Sequence, residues 1–239
     1  LAEFGIRIAS HVVMIGGVEA NTKGLTFGKT LALAERSPVR CADAVTSRLM
    51  CEEIDKACEA GDTLGGILEV IINGVPPGLG SYSQWDRRID GILAQAILSI
   101  QAIKGVSFGL GFEAAELAGS LVHDEIFYDR KKKCFYRKTN NAGGVEGGMT
   151  NGEDIVMRAV MKPIATLRKA LLSANIRTKS PVRATVERAD VCAVPAAAVI
   201  AEAVSAVEIA NSFLEKFGGD SLGEMRRNYE GYIKQVRGI

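Results

Sequence analysis

The chain has 239 residues, 47% hydrophobic and 24% charged, ordinary globular usage that excludes a disordered, collagen-like or coiled-coil protein. Lys+Arg 29 against Asp+Glu 28 leaves a net charge of +1, so no global field recruits nucleic acid or an anionic membrane, and any anionic ligand has to be held by local charge. This length gives ample core, and residues 1–239 are read as a single domain.

From Gly5 to Ile15 the residues alternate, with Ile6, Ile8, Val12 and Met14 on one face and Arg7 and His11 on the other, which predicts a half-buried strand with His11 on its more polar face. Gly24 to Thr30 (GLTFGKT) has only three residues between its glycines where a phosphate-wrapping Walker loop needs four, and Lys23 precedes it, so a nucleotide loop is rejected. Val45, Leu49, Ile54, Ala57 and Cys58 recur at helical spacing over 44–60 with Gly61 as C-cap, placing Cys51 and Cys58 together as core thiols. Ile67 to Val75 reads as a strand stopped by Pro76-Pro77-Gly78. Ile89, Ile92, Leu93, Ala96, Ile97 and Ile100 predict a helix over 86–100.

Strands are expected at Val106–Gly109, Ile155–Met161 and Val182–Glu187, and a helix over 195–217 with Val199, Ala203, Ala206, Ala210, Phe213 and Phe217 in register. A last amphipathic helix follows from Leu222, Met225, Tyr229, Tyr232 and Val236. Strands and helices mix without a βαβ rhythm, so the fold class is α+β with antiparallel sheet.

Five cysteines without a CxxC pair fit neither a disulfide framework nor a zinc knuckle and point to a reducing cytoplasm. His11 and His123 are the only histidines, so no metal site is expected. No apolar run was expected to reach the ~18 residues that span a bilayer, and the N-terminus lacks signal-peptide features, so no membrane partner is expected. The basic run at 130–133, with Arg137 and Lys138 and the aromatics Phe127, Tyr128, Phe135 and Tyr136, could clamp single-stranded nucleic acid. A hairpin with a solvated basic turn is the favoured reading, and nucleic acid is not an expected partner.

Three segments carry chemistry. Thr139 to Gly152 (TNNAGGVEGGMTNG) holds five glycines and three asparagines in 14 residues, a backbone able to turn at positive φ and approach a ligand. Lys162-Pro163-Ile164-Ala165-Thr166 sets a cation and a hydroxyl at a strand end, which suits an anionic phosphate. In Glu187-Arg188-Ala189-Asp190-Val191-Cys192, extended backbone would turn Arg188 and Asp190 to the same side.

The order SHVVMIGG, SPVRCAD, VPPGLGS, SIQAIKGVSFGLGF, HDE, TNNAGGVEGGMTNGEDI, KPIAT and RADVC resembles chorismate synthase over nearly the whole chain. The resemblance implies a β-α-β sandwich with helices packed between antiparallel sheets. It implies a cytoplasmic lyase of the shikimate pathway of aromatic amino acid biosynthesis, acting as a homotetramer. The implied reaction converts 5-enolpyruvylshikimate 3-phosphate to chorismate by 1,4-anti elimination of phosphate, with reduced FMN (FMNH2) as cofactor; whether NADPH supplies the reduction is left open.

By position, the resemblance makes Asp190 the catalytic base, with its pKa tuned by Arg188. It gives flavin contacts to Gln101, Ala102, Gly147, Lys162, Pro163, Ile164, Ala165, Thr166 and Arg188, with Gln101 and Ala102 reaching the flavin of a neighbouring subunit. Arg40 is a weaker candidate for the anionic substrate. Ala189 stands where the family usually has Ser or His, Ala42 and Gln101 where Pro is frequent, and Ala165 where Pro or Ser is common. The family's GESHG and SGR signatures have no match here, and neither His11 nor His123 corresponds to its catalytic histidines. The chain is therefore expected to be the C-terminal portion of such an enzyme, the alternative being a non-catalytic flavin-binding or oligomerisation module.

Overall fold

The computed structural model describes residues 1–22, 24–131 and 133–238. In chain order it contains β1 (Arg7–Ile15), β2 (Val18–Glu19), α1 (Phe27–Ala34), α2 (Ala44–Glu59), β3 (Gly66–Asn73), α3 (Ile89–Leu98), β4 (Ile103–Phe108), α4 (Gly119–Val122), β5 (Ile126–Asp129), β6 (Cys134–Arg137), β7 (Val145–Glu146), β8 (Met149–Thr150), β9 (Ile155–Met161), β10 (Leu172–Ala174), β11 (Pro181–Arg183), α5 (Val194–Phe217) and α6 (Leu222–Arg237). The fold is α+β: an antiparallel five-stranded sheet in the order β2-β1-β3-β9-β4, with the two-stranded ribbons β5–β6, β7–β8 and β10–β11.

One face of the sheet forms the core. Ile8 and Val12 of β1 align with Ile72 and Leu68 of β3, which align in turn with Ile155 and Ala159 of β9. Helices α3 and α5 lie against these strands. β9 buries Ile155, Met157, Ala159 and Met161 and leaves the alternate positions wetter, the pattern of a strand packed on one side. Each fully buried Leu, Ile or Met contributes about 1.5 to 3 kcal/mol, so this helix-on-sheet layer holds the domain together. Pro195 stands in the first turn of α5, and Ala197, Ala198 and Ala201 on its inner face let the helix approach the strands closely. α6 docks through Tyr229 and Tyr232, whose rings meet Phe217 at 5.3 Å.

In α5 and α2 the side that faces inward differs from the expectation, whereas α3 buries the expected Ile89, Leu93 and Ile97. In α5 the buried positions are Ala197, Ala198, Ala201, Ser205, Ile209, Phe213 and Phe217, while Val199, Ile200, Val207 and Leu214 form an exposed apolar strip on the far side. The helix is apolar all round, so periodicity had no polar face by which to choose. It is also long and apolar enough to cross a membrane by length and composition, against the expectation of no such run. Its inner face is nevertheless packed on β1 and β3, and its Glu202 carboxylate accepts hydrogen bonds from Ser10 N, Ser10 Oγ and Arg40 Nη2, each 2.7 Å. That marks it as the core helix of a layered domain.

In α2 the inward residues are Thr46, Ser47, Met50 and Ala57, leaving Val45 and Leu49 exposed; Cys51 is half-buried and Cys58 exposed, so they are not core thiols. The polar inner residues are satisfied locally, as Ser47 Oγ meets Ser37 Oγ at 2.8 Å. Asp43 caps α2, accepting from Val45 N at 2.9 Å and Thr46 N at 3.2 Å, and these bonds, that from Thr46 first, hold its carboxyl below the usual range. Asp43→Ala is expected to lower stability by about 1 kcal/mol in thermal denaturation. Because the folded pKa is depressed, that difference is full above the ordinary carboxylate range and fades as acid protonates the cap.

β1 is buried on both faces, His11 included, because α1 packs beside it and its Phe27 ring lies 5.1 Å under the Arg7 guanidinium. The stretch expected as a strand over 182–187 pairs only at Pro181–Arg183, in an exposed ribbon. Gly28 and Thr30 lie within α1, so GLTFGKT forms no phosphate loop; Lys23 lies outside the described residues.

Candidate functional site

The turn between α2 and β3 gathers the chemically promising segments. α2 ends with Gly61 in the left-handed conformation at φ 68, where the Asp62 N–H bonds Ala57 O at 2.9 Å and Gly61 N–H bonds Cys58 O at 3.2 Å. This is a Schellman closure, and it turns the chain sharply onto the sheet. The next residues each hold a different segment. Gly61 O accepts from Lys169 N at 3.0 Å, Thr63 Oγ1 donates to Ile164 O at 2.7 Å, and Leu64 N donates to Val191 O at 2.8 Å. Gly65 admits no side chain, because a Cβ there would lie 2.3 Å from Met161 O and 2.9 Å from Pro163. The loop of Lys162–Thr166 and the segment leading from Arg188 and Asp190 into Val191 are thereby brought to one end of the sheet.

Ala102 joins them. It takes φ 68, and its carbonyl accepts from Lys162 N at 2.9 Å, which sets Gln101 and Ala102 beside the Lys162 loop at the turn into β4. Gln101, Lys162, Pro163, Ala165, Arg188 and Asp190 are exposed, and Ala102, Ile164 and Thr166 half-buried. Lys162, Arg188 and Asp190 enter no salt bridge among the described residues, so Arg188 and Asp190 do not pair with each other. Lys162, Thr166, Arg188 and Asp190 thus lie on segments tied to one turn at the end of the sheet, residue types that suit a phosphorylated ligand.

Gly147 lies elsewhere. The glycine-rich segment folds at the start of β9, and the seven residues of β9 separate it from Lys162 by about 24 Å. It is well anchored. Asp124 accepts from Thr139 Oγ1 at 2.5 Å, Asn141 N at 2.8 Å and Ala142 N at 2.9 Å. Burial would raise the Asp124 carboxyl, but these hydrogen bonds outweigh it and hold the pKa below the usual range. Arg137 ties the ribbon β7–β8 from the side, meeting Glu146 and donating to Asn151 O at 3.2 Å. Gly147 and Gly148, at φ 59 and 85, make its two-residue turn. A Cβ on Gly148 would strike Ser81 O at 2.7 Å, whereas Gly147 has nothing within 4 Å and is exposed, open to a planar ligand's close approach. A cavity of about 750 Å³ opens beside this segment, between Phe135, Glu146, Met149, Asn151 and Tyr232.

Other residues read from the sequence are committed to structure. Arg40 is bonded to Glu35 at 2.8 Å, Ser10 O at 3.1 Å and Glu202 at 2.7 Å, so its guanidinium is engaged within the fold. His11 Nε2 meets Glu69 Oε1 at 2.9 Å inside the sheet, and His123 is exposed. The hairpin β5–β6 is present, and its rings pair across the strands, Phe127 with Tyr136 at 5.7 Å and Tyr128 with Phe135 at 5.0 Å; Lys132 of its basic turn lies outside the described residues. Sequence reasoning missed Thr63, Gly65 and Asp124. The run Gly61-Asp62-Thr63-Leu64-Gly65-Gly66, three glycines between a helix and a strand, was the signal that could have found the first two.

Comparison with known proteins identifies the family. The family model described as chorismate synthase matches residues 1–214. The chain is 57% identical over 243 residues to chorismate synthase of Geobacter sulfurreducens, covering 99% of this chain and 62% of that protein. It is 55% identical over 232 residues to chorismate synthase of Brevibacillus brevis, covering 97% of this chain and 60% of that protein. A crystal structure of chorismate synthase superposes with a TM-score of 0.84 at 43% identity, covering 100% of this chain and 66% of that one. The chain thus spans about three fifths of the length of the curated relatives it matches. With a family model over most of the chain and the same fold in a solved relative, the chain belongs to the chorismate synthase family.

Proposed function

We propose that the protein acts as a chorismate synthase: it eliminates phosphate in a 1,4-anti sense from 5-enolpyruvylshikimate 3-phosphate, giving chorismate, with reduced FMN as cofactor. The observation that carries the reading is the meeting of Lys162–Thr166, Arg188 and Asp190 at one sheet end, held by a single turn. The donor set fits the cofactor's phosphate side: Lys162 and Arg188 as unpaired cations and Thr166 as a hydroxyl, beside Pro163, Ile164 and Ala165. Reduced FMN, when bound, supplies electron density to the allylic system with no net redox change.

The chain's own residues supply the rest. In this reading Asp190, exposed and in no salt bridge among the described residues, serves as the general base in removal of the C6 hydrogen as the C3–O bond to phosphate breaks and the new double bond forms. Arg188, two residues before it in the chain, supplies positive charge for the departing dianion. As the family resemblance implies, Gln101 and Ala102 contact the flavin of a neighbouring subunit, and the reading carries a homotetramer in which neighbouring subunits complete each flavin site. Five free cysteines support a reducing cytoplasm as its compartment.

Lys162→Ala in the intact natural protein tests the phosphate assignment. FMN affinity should fall about tenfold at low salt, with the loss shrinking as salt rises, while kcat at saturating FMN stays within about twofold. Unchanged FMN affinity would remove Lys162 from the site.

A further inference from the structure

We propose that Thr63 is a positioning residue for the cofactor site, setting the Lys162–Thr166 loop through its side-chain hydroxyl. The inference rests on the flavin reading above, because that reading gives the loop its ligand.

Thr63 is 8% exposed, and its hydroxyl donates to Ile164 O at 2.7 Å. Its own N–H is taken by Asp62 Oδ1 at 2.9 Å, which fixes the backbone from which the hydroxyl reaches out. Both neighbours on the turn are held by main-chain bonds, Gly61 to Lys169 and Leu64 to Val191. The Lys162 loop itself is tied by Lys162 N to Ala102 O at its start and by Lys169 N to Gly61 O beyond its end. Between those two ties, over Pro163 to Arg168, the Thr63 hydroxyl is the side-chain hydrogen bond that holds the loop among the described residues.

The bond fixes which way the Ile164 peptide faces. With Ile164 O turned inward to Thr63, the following N–H of Ala165 is turned to the opposite side, as the planar trans peptide requires. Along the chain, Lys162 precedes and Thr166 follows that peptide. Without the hydroxyl, a half-buried carbonyl loses its partner and the loop gains freedom to rotate it toward water, which scatters donors a phosphate would need in one place. Thr63 touches neither cofactor nor substrate in this account; it acts through the loop.

The test uses the intact natural protein and three measurements: FMN dissociation constant by flavin fluorescence, kcat and KM at saturating FMN, and melting temperature. Thr63→Val keeps the shape and removes the hydroxyl, and FMN binding should weaken about five- to tenfold. kcat at saturating FMN should stay within about twofold, since Asp190 is anchored through Leu64 rather than through Thr63. Thr63→Ser should restore FMN affinity to within about twofold of the parent. A Thr63→Val protein that binds FMN like the parent overturns the proposal. So does failure of Thr63→Ser to restore binding, or a Thr63→Val protein that does not fold, since the hydroxyl would then hold the fold and not the loop. If the parent itself binds no FMN, the functional reading fails and takes this inference with it, an outcome distinct from a parent that binds and a variant that binds equally.

Discussion

Asp190→Ala in the intact protein is expected to lower kcat by about 100- to 10,000-fold while FMN affinity moves by less than about threefold. The asymmetry follows from where the residue sits. Asp190 is exposed, forms no salt bridge among the described residues, and stands immediately before Val191, whose carbonyl is bound by Leu64 N at 2.8 Å. Its backbone is thus anchored while its carboxylate is uncommitted, the state in which a general base is useful and its removal costs the fold little. Asp190→Asn, which keeps the shape and loses the basicity, should be nearly as slow. Equal losses of turnover and FMN affinity would make Asp190 a binding residue and remove it from proton transfer.

Glu69→Leu is expected to be the most destabilising single change outside the apolar core, by about 3 kcal/mol, or a fall of about 6 to 12 °C in melting temperature. Glu69 is 7% exposed and bridges two strands, accepting from His11 Nε2 at 2.9 Å and from Arg158 Nε at 2.7 Å. Leucine removes both acceptors and strands a ring N–H on His11, which is 1% exposed. The figure stays at the lower end for a broken buried pair because the Arg158 side chain keeps 39% of its exposure and can turn to water. Burial alone would raise the Glu69 carboxyl, yet hydrogen bonds and charge from His11, then from Arg158, bring its pKa below the ordinary range. A depressed folded pKa contributes stability that is complete above the unfolded value and is lost as pH falls through the folded one. The gap between the parent and Glu69→Gln should therefore narrow in acid. A gap unchanged by acid would show that the carboxylate charge contributes nothing.

Strands with one wet face were legible from the sequence. The alternation at Ile155–Met161 matched β9 residue for residue because a strand packed on one side writes its environment into period two. Where an element is covered on both sides that signal vanishes. β1 buries Ala9, His11 and Val13 as well as Ser10 and Val12, and α5 carries alanines and valines on every side, so its inward face was set by tertiary packing and by Glu202, not by any stripe. In α2 the exposed Val45 and Leu49 drew the expected face the wrong way, since Thr46 and Ser47 are satisfied locally and can turn inward without cost.

The chemical segments stood out by their residue types, but their coming together did not. No periodicity says that Ile164 and Val191 share one turn, because that turn is built from backbone groups of Gly61 and Leu64 and one hydroxyl. The shape of the glycine-rich segment was equally hidden: its composition showed a backbone free to turn, and Asp124, Asn140 and Arg137 fix it in place.

The row His11–Glu69–Arg158 runs straight across β1, β3 and β9, and Ser107 of β4 continues it. Strand pairing has a degeneracy of one residue: shifting β3 by one step preserves every ladder hydrogen bond in kind while exchanging its faces. Here such a slip would swing Glu69 onto the side of α5, beside Val12 and Ala159, and set a β3 aliphatic side chain between His11 and Arg158. A charged carboxylate without donors in that layer is far costlier than the pairing it would preserve. The ladder thus excludes misaligned sheets during assembly, and the strand ends that carry Lys162 and Ala102 arrive level with one another because the middle of the sheet admits a single alignment.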